Sequence, residues 1–311
     1  MSAMIEVERL RKEFEIKGIK QKLVAVDDIT FSIGQSETYG LIGESGSGKT
    51  TVGRILLRLI EPTRGTMRYN GDRYESMSRS QFHSIQCRMQ MVFQDPYYSL
   101  NPTRTVWDTV ASSCHAAGSE RRDHIAEALD RVQIGCANYG KYPHQISMGA
   151  QQRVGIARAI VSKPEFIVLD EPTSSLDLTV RGEIMNLLTS LQEQLNISFL
   201  FISHDLSTIQ HMCHRVSIMY LGQIVETGSV ERIFHHRTHP YSEALLASVM
   251  HPDPSRKRPP YRLSGEIPSP INLPDACYLA SRCPEATDIC FAAKPEVKEV
   301  SPGHTVRCHR R

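Results

Sequence analysis

Residues 43–50 read Gly43-Glu44-Ser45-Gly46-Ser47-Gly48-Lys49-Thr50, and every fixed position in this stretch has a physical reason. The glycines let the backbone fold into a cradle of N–H groups around phosphate oxygens. A lysine at 49 reaches the β- and γ-phosphates, and the Thr50 hydroxyl ligates Mg²⁺. The flanks agree. Thr38-Tyr39-Gly40-Leu41-Ile42 is a β-rich apolar run before the loop. Thr51 continues into a helical pattern, with Val52, Ile55, Leu56 and Leu59 expected on one apolar face. The loop is therefore predicted between a strand and a helix start, where amide donors and the helix dipole favour an anion.

The chain has 311 residues, enough for one large or two modest domains with a buried core. It is 40% hydrophobic and 23% charged, with a formal net charge of +2. That balance suits an ordinary globular protein and gives no bulk argument for nucleic acid. No apolar run is long enough to span a membrane, and the polar stretch from Met1 to Lys20 has no apolar leader core. A cytosolic location is expected, with membrane association only through partners.

Ile5, Val7 and the run from Leu23 to Ile33 alternate in the strand manner, so residues 1–42 read as β-rich. Further strands are predicted over Gly65–Tyr69 and Met89–Phe93. From about residue 100 to 163 the pattern is helical, with Ile125, Leu129 and Val132 at helical spacing. Phe166 to Leu169 is a wholly apolar strand, as in a parallel sheet. A helix follows, with Val180, Ile184, Leu187, Leu188 and Leu191 on one face, and then a buried strand from Ser198 to Ile202. This alternation predicts a parallel α/β architecture. A boundary is expected after Met250, separating residues 1–250 from a Pro-rich linker and Cys-rich extension over 251–311. Seven of the 17 prolines lie between Pro252 and Pro274, around the basic run Arg256-Lys257-Arg258. That run reads most simply as a solvated loop.

The strand from Phe166 ends in Asp170, and Glu171 follows. A carboxylate there can hold Mg²⁺, and its neighbour can orient or deprotonate a water attacking the γ-phosphate. His204 ends the next buried strand, in Phe201-Ile202-Ser203-His204-Asp205, where an imidazole can hydrogen-bond a terminal phosphate.

Together these motifs make residues 1–250 resemble the ATP-binding subunits of ABC transporters. Gln94, in Val92-Phe93-Gln94-Asp95-Pro96, looks like the Q-loop glutamine, which joins Thr50 and Asp170 around Mg²⁺. The run from Leu169 to Asp177 looks like a Walker B strand end followed by a D-loop, and His204 matches the switch histidine. Phe14 stands where the family stacks an aromatic on adenine; its alternative is a core phenylalanine. Ile146-Ser147-Met148-Gly149-Ala150-Gln151-Gln152-Arg153 sits where the family has Leu-Ser-Gly-Gly-Gln. Ser147 and Gly149 are kept, while Met148 replaces a glycine and Ala150 a glutamine. In the family this signature closes on nucleotide held by a partner chain, so the departure implies a slower or degenerate site there. The resemblance implies a P-loop NTPase fold, α/β, with an antiparallel β subdomain and a helical subdomain.

Of eight cysteines, Cys87, Cys114, Cys136 and Cys213 are scattered and read as incidental thiols. Cys277, Cys283, Cys290 and Cys308 are spaced C-x5-C-x6-C-x17-C in the extension. A cytosolic location argues against disulfides, and the small core suggests a metal. Spacing alone leaves Zn²⁺ and an iron–sulfur cluster equal. The segment from Cys277 to Pro284 resembles the C-terminal extension of the oligopeptide, dipeptide and nickel importers, which points to [4Fe-4S]. The run from Val92 to Pro102 and His239-Pro240-Tyr241 resemble the same branch, and the Phe-Gln-Asp-Pro-Tyr form its second ATPase subunit. The phosphate loop is expected to lie far from this extension.

The resemblance implies an ATPase that powers peptide import from the cytoplasmic face of the cell membrane. It would pair with a second ATPase subunit as a heterodimer, act on two membrane-spanning permease subunits and serve an external solute-binding protein. Nickel or another small solute is the alternative cargo. A soluble ATPase of the same fold, acting on nucleic acid or ribosomes, is the rival class. Such proteins usually carry two cassettes or a long coiled-coil insertion, and this chain shows neither.

Overall fold

The computed structural model describes residues 3–16, 18, 20–248 and 263–311. Among them are twelve strands. β1 (Ala3–Glu15), β2 (Lys22–Gly34) and β3 (Thr38–Ile42) precede helix Lys49–Leu56, and β4 (Arg64–Tyr69) and β5 (Asp72–Arg73) follow it. β6 (Met89–Val92), β7 (Phe166–Asp170) and β8 (Ser198–Ser203) come from the middle of the chain. β9 (Arg215–Tyr220), β10 (Gln223–Ser229), β11 (Val297–Ser301) and β12 (His304–Arg307) complete the set. The expected linker start and the basic run Arg256-Lys257-Arg258 lie outside the described residues. None of the described helices is long and apolar enough to cross a membrane.

The described residues form two compact units. The helical unit is mainly Ser76–Ile202 with Ile33–Thr38. Here β6, β7 and β8 pair in parallel, with Val92 opposite Leu169 and Leu169 opposite Phe201. Every residue of β7 and β8 is buried, which is why their sequences are continuous apolar runs rather than alternating ones. Helix Leu178–Leu195 is capped by Asp177, whose carboxylate accepts the Val180 N–H at 3.0 Å. It buries Ile184, Leu187, Leu188 and Leu191, as their spacing predicts, while Val180, expected on the same face, is only half-buried. Helices Val106–Ala111, Gly118–Arg131 and Met148–Ile160 fill the stretch read as helical.

The loop unit holds Ile5–Ser32, Tyr39–Glu75 and the described part of Ser203–Arg311. Its antiparallel sheet runs β2-β1-β4-β5, with Ile5 opposite Tyr69 and Val7 opposite Met67. A second set runs β11-β12-β10-β9-β3. Only β3–β9 is parallel there, with Ile42 opposite Ile218. The helix after the phosphate loop ends at Leu56, and Leu59 is exposed rather than on the apolar face. Arg58 turns left-handed at φ 52°, which stops the helix one turn early.

The sequence pattern of β10 hides a buried acid. Glu226 is fully buried, and its carboxylate accepts the Thr238 N–H at 2.7 Å and the His239 N–H at 3.1 Å, with His304 Nε2 at 2.8 Å. β12 adds to β10 beside it, Val306 facing Glu226, so the extension prolongs the sheet. The extension also buries Tyr278 and Leu279. Asp27 gathers the Tyr278 hydroxyl at 2.6 Å, Gln223 Nε2 at 3.0 Å and Lys294 Nζ at 3.2 Å, together with the Arg11 guanidinium. Burial alone raises the Asp27 carboxyl, but Tyr278, Lys294 and Arg11 outweigh it and hold the group below its ordinary range.

Candidate nucleotide site

The loop unit carries the phosphate loop. Gly43, Gly46 and Gly48 adopt φ of 154°, 79° and 102°. A Cβ at Gly43 would stand 2.1 Å from the Met219 carbonyl oxygen, and one at Gly48 2.0 Å from that of Ala25. Gly46 has open space around it, so only its left-handed backbone asks for glycine. Lys49 is buried, and its ammonium donates to the Gly43 and Glu44 carbonyls at 2.9 Å each and lies 3.3 Å from Ser47 Oγ. The charge is thus held within the curve of the loop. Helix Lys49–Leu56 starts at Gly48 with no side-chain cap and no acidic residue in its first turn, where Thr50 and Thr51 lie. Glycine walls, an inward ammonium and an uncapped helix start fit a phosphate group.

The loop is fastened at three points of the same unit. Gly222 N–H donates to the Ser47 carbonyl at 3.0 Å. The Glu44 N–H donates to the Tyr241 hydroxyl at 3.1 Å. Arg282, from the extension, places Nη1 3.5 Å from Glu44 Oε2. The expectation that loop and extension lie far apart is therefore corrected: the chain returns after 238 positions to touch the loop.

His204 is exposed at the end of β8. Asp205 beside it accepts the Ser207 N–H at 3.0 Å, the Ser207 hydroxyl at 2.6 Å and the Thr208 hydroxyl at 3.0 Å. Burial raises the Asp205 carboxyl, yet these bonds prevail and hold it low. Its charge caps helix Leu206–Met212 and fixes the backbone next to the imidazole. Phe14 lies on β1 with its ring part exposed and the Lys12 ammonium 5.0 Å from the ring centroid, so it is not a core phenylalanine.

The helical unit carries the acids. Asp170 is buried at the end of β7. Glu171 follows in a left-handed conformation, φ 48°, costly for a non-glycine residue and held by its surroundings. Its N–H donates to the Ile202 carbonyl at 2.9 Å, and its own carbonyl accepts Ser174 Oγ at 3.1 Å. Gln94 Nε2 donates to Glu171 Oε2 at 3.1 Å. The glutamine and the acid predicted for separate duties are thus one hydrogen-bonded pair. In the signature segment, Ser147 caps helix Met148–Ile160 by accepting the Ala150 N–H at 3.3 Å. A Cβ on Gly149 would meet Val180 Cγ1 at 2.6 Å, and Met148 is 44% exposed. Gln151 is buried, its amide donating to the Pro143 and Ile146 carbonyls at 2.9 and 3.2 Å.

All eight cysteines are outside disulfides. Cys277 N–H donates to the Cys290 carbonyl at 2.9 Å. Burial pushes the Cys277 thiol up to about 11, and Cys290, Cys308 and Cys283 add to the rise. Burial also raises the Cys283 thiol, with Cys308 and Cys290 contributing. Burial is the larger cause at both Cys277 and Cys283, and the neighbouring cysteines add to it. Among the described residues no three His, Cys, Asp or Glu side chains are gathered to hold a metal ion, so neither the expected [4Fe-4S] cluster nor its Zn²⁺ alternative finds support in this geometry.

Residues 26–174 match the family described as ABC transporter. Residues 225–290 match the oligopeptide/dipeptide transporter C-terminal region. The chain is 41% identical over 318 residues to the oligopeptide transport ATP-binding protein AppF of Bacillus subtilis (strain 168), covering 98% of this chain and 97% of AppF. Among solved structures it resembles the ATP-binding cassette MJ0796, a dimer in a post-hydrolysis state bound to ADP and Pi. That likeness has a TM-score of 0.65 and 26% identity, and covers 73% of this chain and 99% of the other. It also resembles cbiO1 from Clostridium perfringens, part of the ABC transporter complex cbiONQ. Here the TM-score is 0.67 and the identity 26%, over 76% of this chain and 92% of cbiO1.

Proposed function

This chain belongs to the ABC transporter family, and from that membership we propose that it is the ATP-hydrolysing subunit of a peptide importer. The observation that carries the ATPase reading is the phosphate loop: a glycine-walled turn with the Lys49 ammonium inside it and an uncapped helix behind it. Peptide as cargo is supported by the match of residues 225–290 and by the likeness to AppF.

By motif order, the amides of residues 43–51 and Lys49 hold the triphosphate, and Phe14 takes the adenine. Mg²⁺ falls to Thr50, Gln94 and Asp170, and when bound it neutralises charge on the β- and γ-oxygens. Glu171 accepts the proton of the attacking water. Gln94 Nε2 donates to this same carboxylate, so the two side chains act as a pair. His204 donates to the γ-phosphate. Ser147 and Gly149 serve nucleotide held by a second ATPase subunit, in a heterodimer set against two permease subunits at the cytoplasmic face of the membrane. An external binding protein delivers the solute. The altered residues Met148 and Ala150 make that partner-held site the slower of the two.

A [4Fe-4S] cluster on Cys277, Cys283, Cys290 and Cys308 belongs to the same proposal and rests on the likeness of this extension to the oligopeptide/dipeptide transporter C-terminal region. Such a cluster would staple the extension. Anaerobic purification tests it: a brown protein with iron supports the cluster, and a colourless one without iron refutes it. For the main proposal, the chain is reconstituted with its permease and ATPase partners in vesicles. Uptake of labelled peptide that needs ATP supports the reading. Uptake of nickel but not peptide, or co-purification with ribosomes in place of permeases, refutes it.

A further inference from the structure

The extension reaches the phosphate loop through one buried side chain. Arg282 is 9% exposed although it carries a full charge. Its backbone is pinned: its N–H donates to the Leu279 carbonyl at 2.9 Å, and its own carbonyl accepts the Ser264 N–H at 3.1 Å. Its guanidinium lies 5.8 Å from the Tyr220 ring centroid, and Nη1 is 3.3 Å from the Tyr220 hydroxyl. The same Nη1 is 3.5 Å from Glu44 Oε2. Tyr220 in turn packs on Tyr241, ring centroids 4.6 Å apart, and Tyr241 accepts the Glu44 N–H. Glu44 is thus held at its backbone by Tyr241 and at its carboxylate by Arg282, both from beyond residue 240.

Glu44 matters because of what its main chain does. Its carbonyl accepts the Lys49 ammonium at 2.9 Å and the Ser47 N–H at 3.2 Å. A shift of Glu44 therefore moves both the lysine and the turn that surround a phosphate. A second path runs in parallel. Tyr278 and Lys294 of the extension hold the Asp27 carboxylate. The Asp27 N–H donates to the Gly222 carbonyl, and the Gly222 N–H donates to that of Ser47. Two of the three fastenings of the loop thus lead to the extension.

We infer that Arg282 is a positioning residue for the phosphate loop, acting through Glu44, so that nucleotide affinity depends on the C-terminal extension. The inference rests on the reading of this loop as the ATP site. Because Arg282 touches Glu44 and none of the residues assigned to the reacting atoms, its loss is expected to fall on binding rather than on the chemical step.

The test uses the full-length chain and titration with a fluorescent ATP analogue in the presence of Mg²⁺. Arg282→Ala is expected to weaken binding about fivefold, the scale of one charge-assisted contact. Arg282→Lys should recover most of that loss, and Glu44→Gln should reproduce it. In the double variant Arg282→Ala with Glu44→Gln the losses should not multiply, since both remove one contact. In the assembled ATPase, KM for ATP should rise with kcat unchanged, a split that general destabilisation does not produce. Affinity of Arg282→Ala equal to wild type overturns the inference, as do losses that multiply in the double variant. If Arg282→Ala does not fold, Glu44→Gln and Arg282→Lys decide alone, by the same comparison. Absence of nucleotide binding by the wild-type chain refutes the ATP-site reading itself, an outcome distinct from these.

Discussion

Gly149→Ala is a small substitution with a sign that depends on one neighbour. The new Cβ would stand 2.6 Å from Val180 Cγ1. Carbon atoms pack best at about 3.5–4.0 Å, so roughly 1 Å must be found. Val180 cannot easily supply it, because a β-branched side chain in a helix has one strongly preferred χ1. The start of helix Met148–Ile160 is the other candidate, but Ser147 caps it and Arg153 ties it to Glu183 at 2.9 Å. Forcing a methyl into such a contact costs about 1–3 kcal/mol. Against this stands the better helix propensity of alanine, at most about 1 kcal/mol. The net expectation is a loss of about 1–2 kcal/mol, or a fall of several degrees in melting temperature. With Val180→Ala in place, the contact is gone and only the propensity gain remains. Gly149→Ala should then stabilise by about 0.5–1 kcal/mol. Urea midpoints of the wild type, both single variants and the double variant give the four numbers. ATPase turnover of the assembled complex should stay low in the double variant, since the methyl still stands in the signature. A stabilising effect of Gly149→Ala in the wild-type background would refute the reasoning, because it would mean that Val180 yields without cost.

Gly48→Ala should abolish nucleotide binding and lower the melting point, because its Cβ would stand 2.0 Å from the Ala25 carbonyl oxygen. Gly46→Ala, with open space, should cost only about 1 kcal/mol of backbone strain; equal effects in parallel melts would contradict the geometry. Glu171→Gln should keep ATP binding and the bond from Gln94 while slowing hydrolysis about 10²–10⁴-fold; turnover near wild type would assign the water to another residue. His239 is fully buried, and burial pushes it down to about 3, so it stays neutral in the folded chain. The unfolded chain takes up a proton below about pH 6.5 that the folded chain refuses, so stability falls as pH falls, by up to about 1.4 kcal/mol per pH unit. His239→Asn, which keeps an acceptor for the Tyr241 N–H, should flatten the change in urea midpoint between about pH 7.5 and about pH 5; an unchanged slope would exclude His239 as its source.

The phosphate loop was legible in the sequence because each of its positions is constrained by local chemistry. β7 and β8 were legible because burial on both faces leaves a continuous apolar run. β9 to β12 were not read. β10 buries Glu226, whose carboxylate is satisfied by His304 from near the chain end, and a charged residue at full burial breaks the hydrophobic pattern that announces a strand. Leu59 misled in the opposite direction: it has helical spacing, but Arg58 has already left the helix. The roles of Gln94, Glu171 and Gly149 came from motif order. The Gln94–Glu171 bond and the Val180 contact under Gly149 required coordinates, since neither partner is near in sequence. The hydrogen bond between Gln94 and Glu171 spans 77 positions. Arg282 gave no signal beyond its place beside Cys283, and a Pro-rich, Cys-rich tail reads as separate because its core is borrowed from Asp27 and β10.

That borrowed core sets a clock on biosynthesis. Glu44 is translated 238 positions before Arg282. At about 5–20 residues per second, the phosphate loop waits on the order of 10–50 s for its last contacts. During that interval β10 has an unpaired edge, and Asp27 lacks both Tyr278 and Lys294. Arg311 ties back as well, its Nε donating to the Thr238 carbonyl at 3.0 Å. A ribosome that stops after residue 250 therefore releases a chain with every nucleotide motif written and Glu44 held at its backbone by Tyr241 but not at its carboxylate by Arg282. By the inference drawn above, nucleotide affinity reaches its full value only once Arg282 has met Glu44.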